Sequence, residues 1–115
     1  MLRIANPILH VSNSAAAEVF YCGKLGFRTK FAYRPDPTKS DPCYLGVVRD
    51  GAHLHLSSFS GDGALAGSHV QILVDDVDSL LAEYGAQDLP SLAGPMDQSW
   101  GNREIVVRDP DGNKL

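Results

Sequence analysis

Short apolar stretches separated by polar turns run along the whole chain, and their periods predict both strands and helices. Residues 27–34 alternate between apolar and polar side chains, which is typical of a half-buried strand. Asp50-Gly51 is a strong signal for a tight hairpin. The first half is therefore predicted to contain a strand over 4–11, a helix over 15–25, a strand over 27–34, a loop over 34–42 and two hairpin strands over 44–48 and 53–57.

The second half shows the same order with weaker patterns. The stretch 109–113 predicts a tight turn, because Pro110 presets φ and Gly112 supplies a left-handed residue. Lys114 and Leu115 would open a further strand. The elements predicted before this turn are a strand over 68–74, a helix from Asp75 or Asp76 through Tyr84, a weak strand over 87–92, a loop over 93–101 and a strand over 103–108.

The two halves correspond at a constant offset of 63 positions. The matched pairs lie in the first strand, at the start of the helix and inside the helix, and they are Asn6 with His69, Val11 with Val74, Asn13 with Asp76 and Tyr21 with Tyr84. Matching residues in a matching order of elements indicate an internal duplication. The chain is thus predicted to be one domain built from two βαβββ modules, over 1–58 and 68–115, joined by a linker over 59–67.

This duplication has a consequence for binding. A helix covers only one face of a sheet, so each module leaves its other face uncovered. Two such modules side by side would form a cupped sheet whose uncovered faces line a groove. A partly filled groove is the default position for a small-molecule site.

Composition narrows the class of function. The 115 residues include 10 basic and 14 acidic side chains, a net charge of −4, and no basic run, which argues against nucleic-acid binding. A mildly acidic protein would weakly attract a cationic ligand.

No apolar run approaches a membrane span and the N-terminus lacks the apolar core of a signal peptide. Cys22 and Cys43 have no motif spacing, so we expect free thiols and a cytoplasmic location.

Several of these stretches together resemble the vicinal oxygen chelate superfamily, which includes glyoxalase I, fosfomycin resistance enzymes, extradiol dioxygenases and bleomycin resistance proteins. They are residues 7–13, 20–21, 25–27, 69–77, 100–104 and 109–113. Leu-Gly-Phe at 25–27 and Asp-Pro-Asp-Gly-Asn at 109–113 are similar to the superfamily as a whole. Trp-Gly-Asn-Arg-Glu at 100–104 resembles the bleomycin resistance branch more than the metalloenzymes. The resemblance implies an α+β fold, with a cupped mixed sheet, a helix on the outer face of each module, and a homodimer with shared sites.

Metal-dependent members of this superfamily carry His or Glu in the first and fourth strands of each module. The matching positions here are Asn6, then His55 or its neighbour His53, then His69, with the last position falling beyond Leu115. Asparagine is a poor ligand for a transition metal, and a catalytic zinc site usually has three protein ligands. The resemblance therefore favours a site without a metal; the alternative is a divalent ion such as Zn, Ni or Mn held by His55 and His69.

The resemblance implies a small-molecule binding protein that sequesters an antibiotic, for which a cationic glycopeptide is one candidate, and that has no catalytic residues. The expected ligand-binding residues are Asn6, Tyr33, Tyr44, His55, Phe59, His69, Trp100, Arg103 and Glu104. Among these the aromatic rings are stacking surfaces and Glu104 is an acidic contact. The alternatives are a metal-dependent lyase or transferase of the glyoxalase or fosfomycin-resistance type, and a binder with no role in drug resistance.

Structural roles compete with these assignments. Tyr33 and Tyr44 could be ordinary half-buried strand residues, and Trp100 could be a core side chain. Arg103 and Glu104 point to opposite faces if their strand is regular. Whether the protein is an enzyme is left open by the sequence, although the missing ligand positions favour a binder.

Overall fold

The computed structural model describes residues 1–61 and 67–115 as a mixed α+β fold, which confirms the predicted fold class. The elements of the first half are β1 (Ile8–His10), α1 (Ser14–Glu18), which continues as a π-helical stretch (Val19–Lys24), β2 (Arg28–Tyr33), β3 (Tyr44–Arg49) and β4 (Ala52–Ser57). Those of the second half are α2 (Val77–Gly85), β5 (Ala93–Asp97) and β6 (Arg103–Val106). No helix among the described residues is long and apolar enough to span a membrane.

The first sheet has the strand order β1-β4-β3-β2, with β1 parallel to β4 and the other neighbours antiparallel. In the second half β5 pairs with β6 in a two-stranded ladder. Lys114 forms an antiparallel bridge to Arg108 and a parallel bridge to His69. The second half therefore has the same order of neighbouring segments as the first, although only β5 and β6 form a full ladder there.

The two helices begin in the same way at the predicted offset. The Asn13 side chain accepts a hydrogen bond from the backbone N–H of Ala16 at 3.0 Å, and the Asp76 side chain accepts one from Ser79 at 3.1 Å. Each cap satisfies a backbone donor that the first helical turn leaves without a partner. The duplication seen in the sequence thus extends to the hydrogen bonds that start each helix.

Two strands predicted in the second half, over 68–74 and 87–92, do not form in the structure. Apart from the bridge at His69, residues 68–74 form no ladder, and Leu73 is almost fully exposed. The strand predicted over 87–92 is irregular, since Pro90 lacks the N–H that a ladder needs. The strand instead lies at β5, inside the stretch predicted as a loop. There Gly94-Pro95 interrupts the pairing between Ala93 and Met96, which is tolerated at a sheet edge.

One face of the first sheet forms the core of the protein. Leu45 and Val47 on β3 lie opposite Leu56 and Leu54 on β4, and all four are buried against the first helix. The remaining buried apolar residues of this cluster are Leu9, Val11, Ala17, Phe20, Tyr21, Leu25, Phe27, Cys43, Tyr84, Leu89 and Val107. Both halves contribute, so the second half packs on the helix side of the first sheet.

A buried carboxylate joins the two halves at the turn over 109–113. Asp109 Oδ2 accepts hydrogen bonds from the Tyr21 hydroxyl at 2.8 Å and from Asn113 Nδ2 at 2.8 Å. Its Oδ1 accepts from the backbone N–H groups of Asp111 and Asn113. Asn113 Nδ2 also donates to the carbonyl of His10, at the end of β1. Burial, with the neighbouring Asp109, raises the pKa of Tyr21, so its hydroxyl stays protonated and remains a donor.

The second tie between the halves is made by α2. Arg49 Nη1 donates to Glu83 Oε2 at 2.6 Å and Arg49 Nη2 donates to Glu83 Oε1 at 2.8 Å. The Tyr84 hydroxyl donates to the carbonyl of Leu25 at 2.9 Å. This bidentate pair and the buried hydroxyl place α2 against the end of the β3-β4 hairpin.

We expect Asp109→Ala to lower the free energy of unfolding by about 3 kcal/mol, because it leaves several buried donors without an acceptor. The measurement is urea denaturation followed by circular dichroism. Asp88→Ala is the control, since the Asp88 carboxylate is 94% exposed, and it should change the free energy by less than about 0.5 kcal/mol. Equal effects of the two substitutions would contradict the structural role of Asp109.

Candidate functional site

A β-bulge decides which side chains of β2 reach the uncovered face of the first sheet. Thr29 pairs with Val47 and Phe31 pairs with Gly46, so Lys30 is one extra residue on β2. The extra residue reverses the alternation of the strand. Thr29 therefore lies on the helix side, where it contacts Glu18, whereas Phe31 lies on the opposite side.

We call this opposite side the open face of the first sheet. Its side chains follow from the strand register, in rows that run across the sheet. The rows are Arg28, Val48 and His53, then Phe31, Gly46, His55 and Ile8, then Tyr33, Tyr44, Ser57 and His10. Phe31 remains 40% exposed and Tyr33 remains 59% exposed. The open face is thus an accessible surface rich in aromatic side chains.

The aromatic rings of the open face are arranged in two parallel pairs. Phe31 and Tyr44 have ring centroids 6.2 Å apart at an interplanar angle of 11°, and Tyr33 and Phe59 have centroids 6.3 Å apart at 9°. His55 meets Phe31 edge to face at 5.5 Å. Parallel rings fixed on a rigid sheet present flat surfaces on which a planar ligand group can stack.

Gly46 makes this arrangement possible, because a Cβ atom there would overlap the Phe31 ring. The ring therefore lies over β3 and extends to His55 on β4. A glycine inside a strand commonly marks such a close approach. Gly46 is a residue that the site needs, although it contributes no side chain.

His55 is held in place by the phenol of Tyr44, whose oxygen lies 2.9 Å from Nδ1. Burial lowers the pKa of His55, and the nearby His53 and Lys30 lower it further. The imidazole is therefore neutral at pH 7, and one of its nitrogens is engaged with Tyr44. His55 acts here as a polar member of the aromatic cluster.

The predicted site residues of the second half occupy a different surface. Arg103 donates to Asp78 on α2 and to Asp97 on β5. Glu104 points to the opposite face of β6, where Gln71 and Gln98 approach it at 3.4 and 3.3 Å. The regular alternation of the strand therefore places these two neighbours on opposite faces of β6.

Trp100 lies in the connection between β5 and β6, and 66% of its surface is exposed. It is not a core residue. Asn6 is also exposed, in the irregular segment before β1. Neither residue lies on a strand of the first sheet, and the ring contacts of the open face join Tyr33, Tyr44, His55 and Phe59 of the predicted site.

The residues at the metal-ligand positions do not form a complete ligand set among the described residues. His69 pairs with Lys114 through a parallel backbone bridge. His55 is engaged with Tyr44, and Asn6 offers only an amide. Within residues 1–61 and 67–115, no three His, Cys, Asp or Glu side chains come together as a ligand set.

A wide groove of about 1180 Å³ separates the two halves. His53, His69, Arg103 and Glu104 are among its lining residues, together with the segment over 69–80. The groove is open at the side of that segment, whose Leu73 and Val74 are exposed. Polar side chains of the second half, such as His69, Arg103 and Glu104, therefore line the same groove as His53 of the first sheet.

The comparisons with known proteins agree with this architecture. Residues 3–115 match the Glyoxalase/Bleomycin resistance protein/Dioxygenase superfamily. The chain belongs to this superfamily. No curated protein sequence matches the chain. Because the family match spans almost all described elements, it covers both halves of the duplication.

Three solved structures of the superfamily illustrate the similarity. A member from Sphaerobacter thermophilus is 25% identical with a TM-score of 0.76, covering 99% of this chain and 94% of that one. The antibiotic-binding protein TnmS3 from Streptomyces sp. CB03234 is 26% identical with a TM-score of 0.73, covering 99% and 93%. The bleomycin-binding protein from Streptomyces verticillus, in complex with copper(II)-bleomycin, is 25% identical with a TM-score of 0.64, covering 99% and 94%.

Sequence reasoning missed Phe31, Lys30 and Gly46, which shape the open face. Phe31 was predicted to share a strand face with Phe27, but the bulge at Lys30 places the two rings on opposite faces. The isolated glycine inside an apolar strand was the available signal, since it marks a bulge or a close approach.

We expect Gly46→Ala to displace the Phe31 ring and to lower the free energy of unfolding by about 1–2 kcal/mol, as overpacking typically does. Urea denaturation measures the free energy, and the proton shifts of His55 in an NMR spectrum report the position of the ring. Gly51→Ala is the matched control, because a Cβ atom at Gly51 would meet nothing within 4 Å. If Gly46→Ala leaves both the stability and the His55 shifts unchanged, the packing described for Phe31 is wrong.

Proposed function

We propose that the protein binds a small-molecule antibiotic on the open face and the adjoining groove, and sequesters it without chemical change. The observation that carries the proposal is the exposed aromatic cluster of two parallel ring pairs, Phe31 with Tyr44 and Tyr33 with Phe59. Apolar rings on a soluble protein are normally covered, so an accessible group of them indicates a binding surface. The similarity to antibiotic-binding and bleomycin-binding proteins at 25–26% identity supports the same function.

The chemistry of the cluster supports binding rather than catalysis. Burial makes His55 a weaker base than a free imidazole, and Tyr44 occupies one of its nitrogens. The histidine at the other predicted ligand position, His69, lies beside a lysine. These side chains can hold and orient a ligand, and none of them is paired with a second side chain as a nucleophile is with its general base.

Two drugs of opposite charge test the proposal, bleomycin and the aromatic carboxylic acid nalidixic acid. Each is titrated into the purified protein by isothermal titration calorimetry, and the drug is then recovered and its mass compared with the starting material. We expect at least one to bind with a dissociation constant of roughly 10 μM or lower, and to be recovered unchanged. Failure of both to bind at 100 μM protein, or a stoichiometric zinc, nickel or manganese ion bound through His55 and His69, would contradict the proposal.

Variants of the aromatic cluster locate the site. Phe31→Ala and Tyr33→Ala should each weaken drug binding about tenfold, since an aromatic contact contributes roughly 1 kcal/mol beyond its buried area. Val19→Ala is the control, because Val19 is an exposed apolar residue on the helix side of the sheet. The same loss of affinity in Val19→Ala would show that the drug binds elsewhere.

We also propose that the protein acts as a homodimer in the cytoplasm. The exposed apolar side chains of Leu73 and Val74 support pairing, and the two free cysteines agree with a reducing compartment. Sedimentation velocity at about 100 μM protein should give the mass of two chains. A single species with the mass of one chain, 12.4 kDa, would rule out the dimer.

A further inference from the structure

The charges of this acidic protein are divided unequally between its halves. Residues 1–58 contain 7 basic and 4 acidic side chains, a net charge of +3, and residues 59–115 contain 3 basic and 10 acidic ones, a net charge of −7. The total of −4 therefore describes neither half. The half that carries Phe31, Tyr33, Tyr44 and His55 is the basic one.

Two of these basic side chains lie at the aromatic cluster itself. Arg28 occupies the row of the open face that also contains Val48 and His53. Lys30 is the extra residue of the bulge and directly precedes Phe31 on β2, and its positive charge contributes to the lowered pKa of His55. Neither cation lies within ion-pair distance of a carboxylate in the part of the chain that the structure describes.

The carboxylates of the first half are engaged elsewhere. Glu18 contacts Thr29 and Arg34 on the helix side. Asp36 accepts hydrogen bonds inside its own loop, and Asp41 accepts from Ser14 and Ser58. Asp50 is part of the hairpin turn. The acidic groups of residues 1–58 thus leave the cations of the open face unneutralised.

We propose that the group bound on the open face is an aromatic ring that carries an anionic substituent, such as a carboxylate or a sulfonate. The ring stacks on Phe31 and Tyr33, and its anion is bound by Arg28 and Lys30. This inference rests on the proposed binding function and specifies the chemistry of the ligand. Guanidinium and ammonium groups form charge-assisted hydrogen bonds with such an anion.

This ligand chemistry differs from the one suggested by net charge. The acidic side chain expected to bind a cationic drug, Glu104, lies in the second half with Gln71 and Gln98 around it. A larger antibiotic could contact that surface as well. The part of the ligand that covers the aromatic rings, however, meets only basic and neutral side chains among the described residues.

Three probes with one ring system and different charges test the inference: 2-naphthoate, 2-naphthamide and 2-naphthylmethylammonium. Each is titrated into ¹⁵N-labelled protein at pH 7.5 and low salt, and amide shifts give both the affinity and the location. Probes of this size bind with dissociation constants of roughly a millimolar. We expect shifts on β2, β3 and β4, with naphthoate binding about tenfold more tightly than the ammonium probe and losing this advantage in 0.5 M NaCl.

A double substitution shows whether the two cations cause the preference. Arg28→Gln with Lys30→Gln should weaken naphthoate binding about tenfold and leave naphthamide binding unchanged. Arg3→Gln with Lys39→Gln is the matched control, since it removes the same charge outside the strands of the open face. Thermal unfolding verifies that both variants are folded.

The outcomes separate this inference from the proposed function. Equal binding of the three probes, tighter binding of the ammonium probe, or an equal effect of the control variant overturns the anionic ligand but leaves the aromatic site in place. If even the neutral naphthamide causes no shifts on β2, β3 and β4, the open face is not a binding surface, and the proposed function fails with it.

Discussion

The carboxylate of Asp109 is the interaction on which the arrangement of the two halves depends. A buried carboxylate is costly unless its oxygens are fully hydrogen bonded, and this one accepts from Tyr21, from the amide of Asn113 and from two backbone N–H groups. Because Tyr21 belongs to the first helix and Asn113 also reaches β1, the last turn of the chain is fixed against the first module. The conspicuous Asp-Pro-Asp-Gly-Asn motif thus has a structural role.

This tie has consequences for the site. Tyr21 and Val107 are buried on the helix side of the first sheet. The Tyr84 hydroxyl bonds the Leu25 carbonyl at the end of the first helix, and Arg49 pairs with Glu83 on α2. These contacts also join the two halves outside the open face. The second half is therefore used to complete the core. The aromatic side of the sheet stays accessible because the contacts that stabilise the fold are made on its other side.

Most of the framework could be predicted from the sequence because it depends on local chemistry. Asn13 and Asp76 are capping residues whose side chains bond the backbone three positions ahead, and this spacing is visible in the chain. The bulge at Lys30 could not be predicted, since it depends on how β2 is paired with β3. One extra residue was enough to place Phe31 and Tyr33 on the face opposite to Phe27, with which a regular strand would have grouped them.

The failures in the second half have the same origin. The pattern over 68–74 predicts a strand, but a strand forms only where a neighbour supplies hydrogen bonds, and there only His69 is bridged. In β5, Gly94-Pro95 resembles a loop signal, yet it is accommodated where the pairing is irregular. The sequence therefore identified four residues of the aromatic cluster. It could not show that the other candidate residues lie on a different surface.

Three of the carboxylates of the second half have structural roles that are independent of any ligand. Asp76 caps α2, Asp78 lies in its first turn, and Glu83 is paired with Arg49. Negative charges at a helix N-terminus are stabilised by the helix dipole, so several carboxylates there need no further role. A ligand on the open face responds mainly to charges within a Debye length of about 8–10 Å. The cations of β2 therefore influence its binding more directly than the net charge of the chain does.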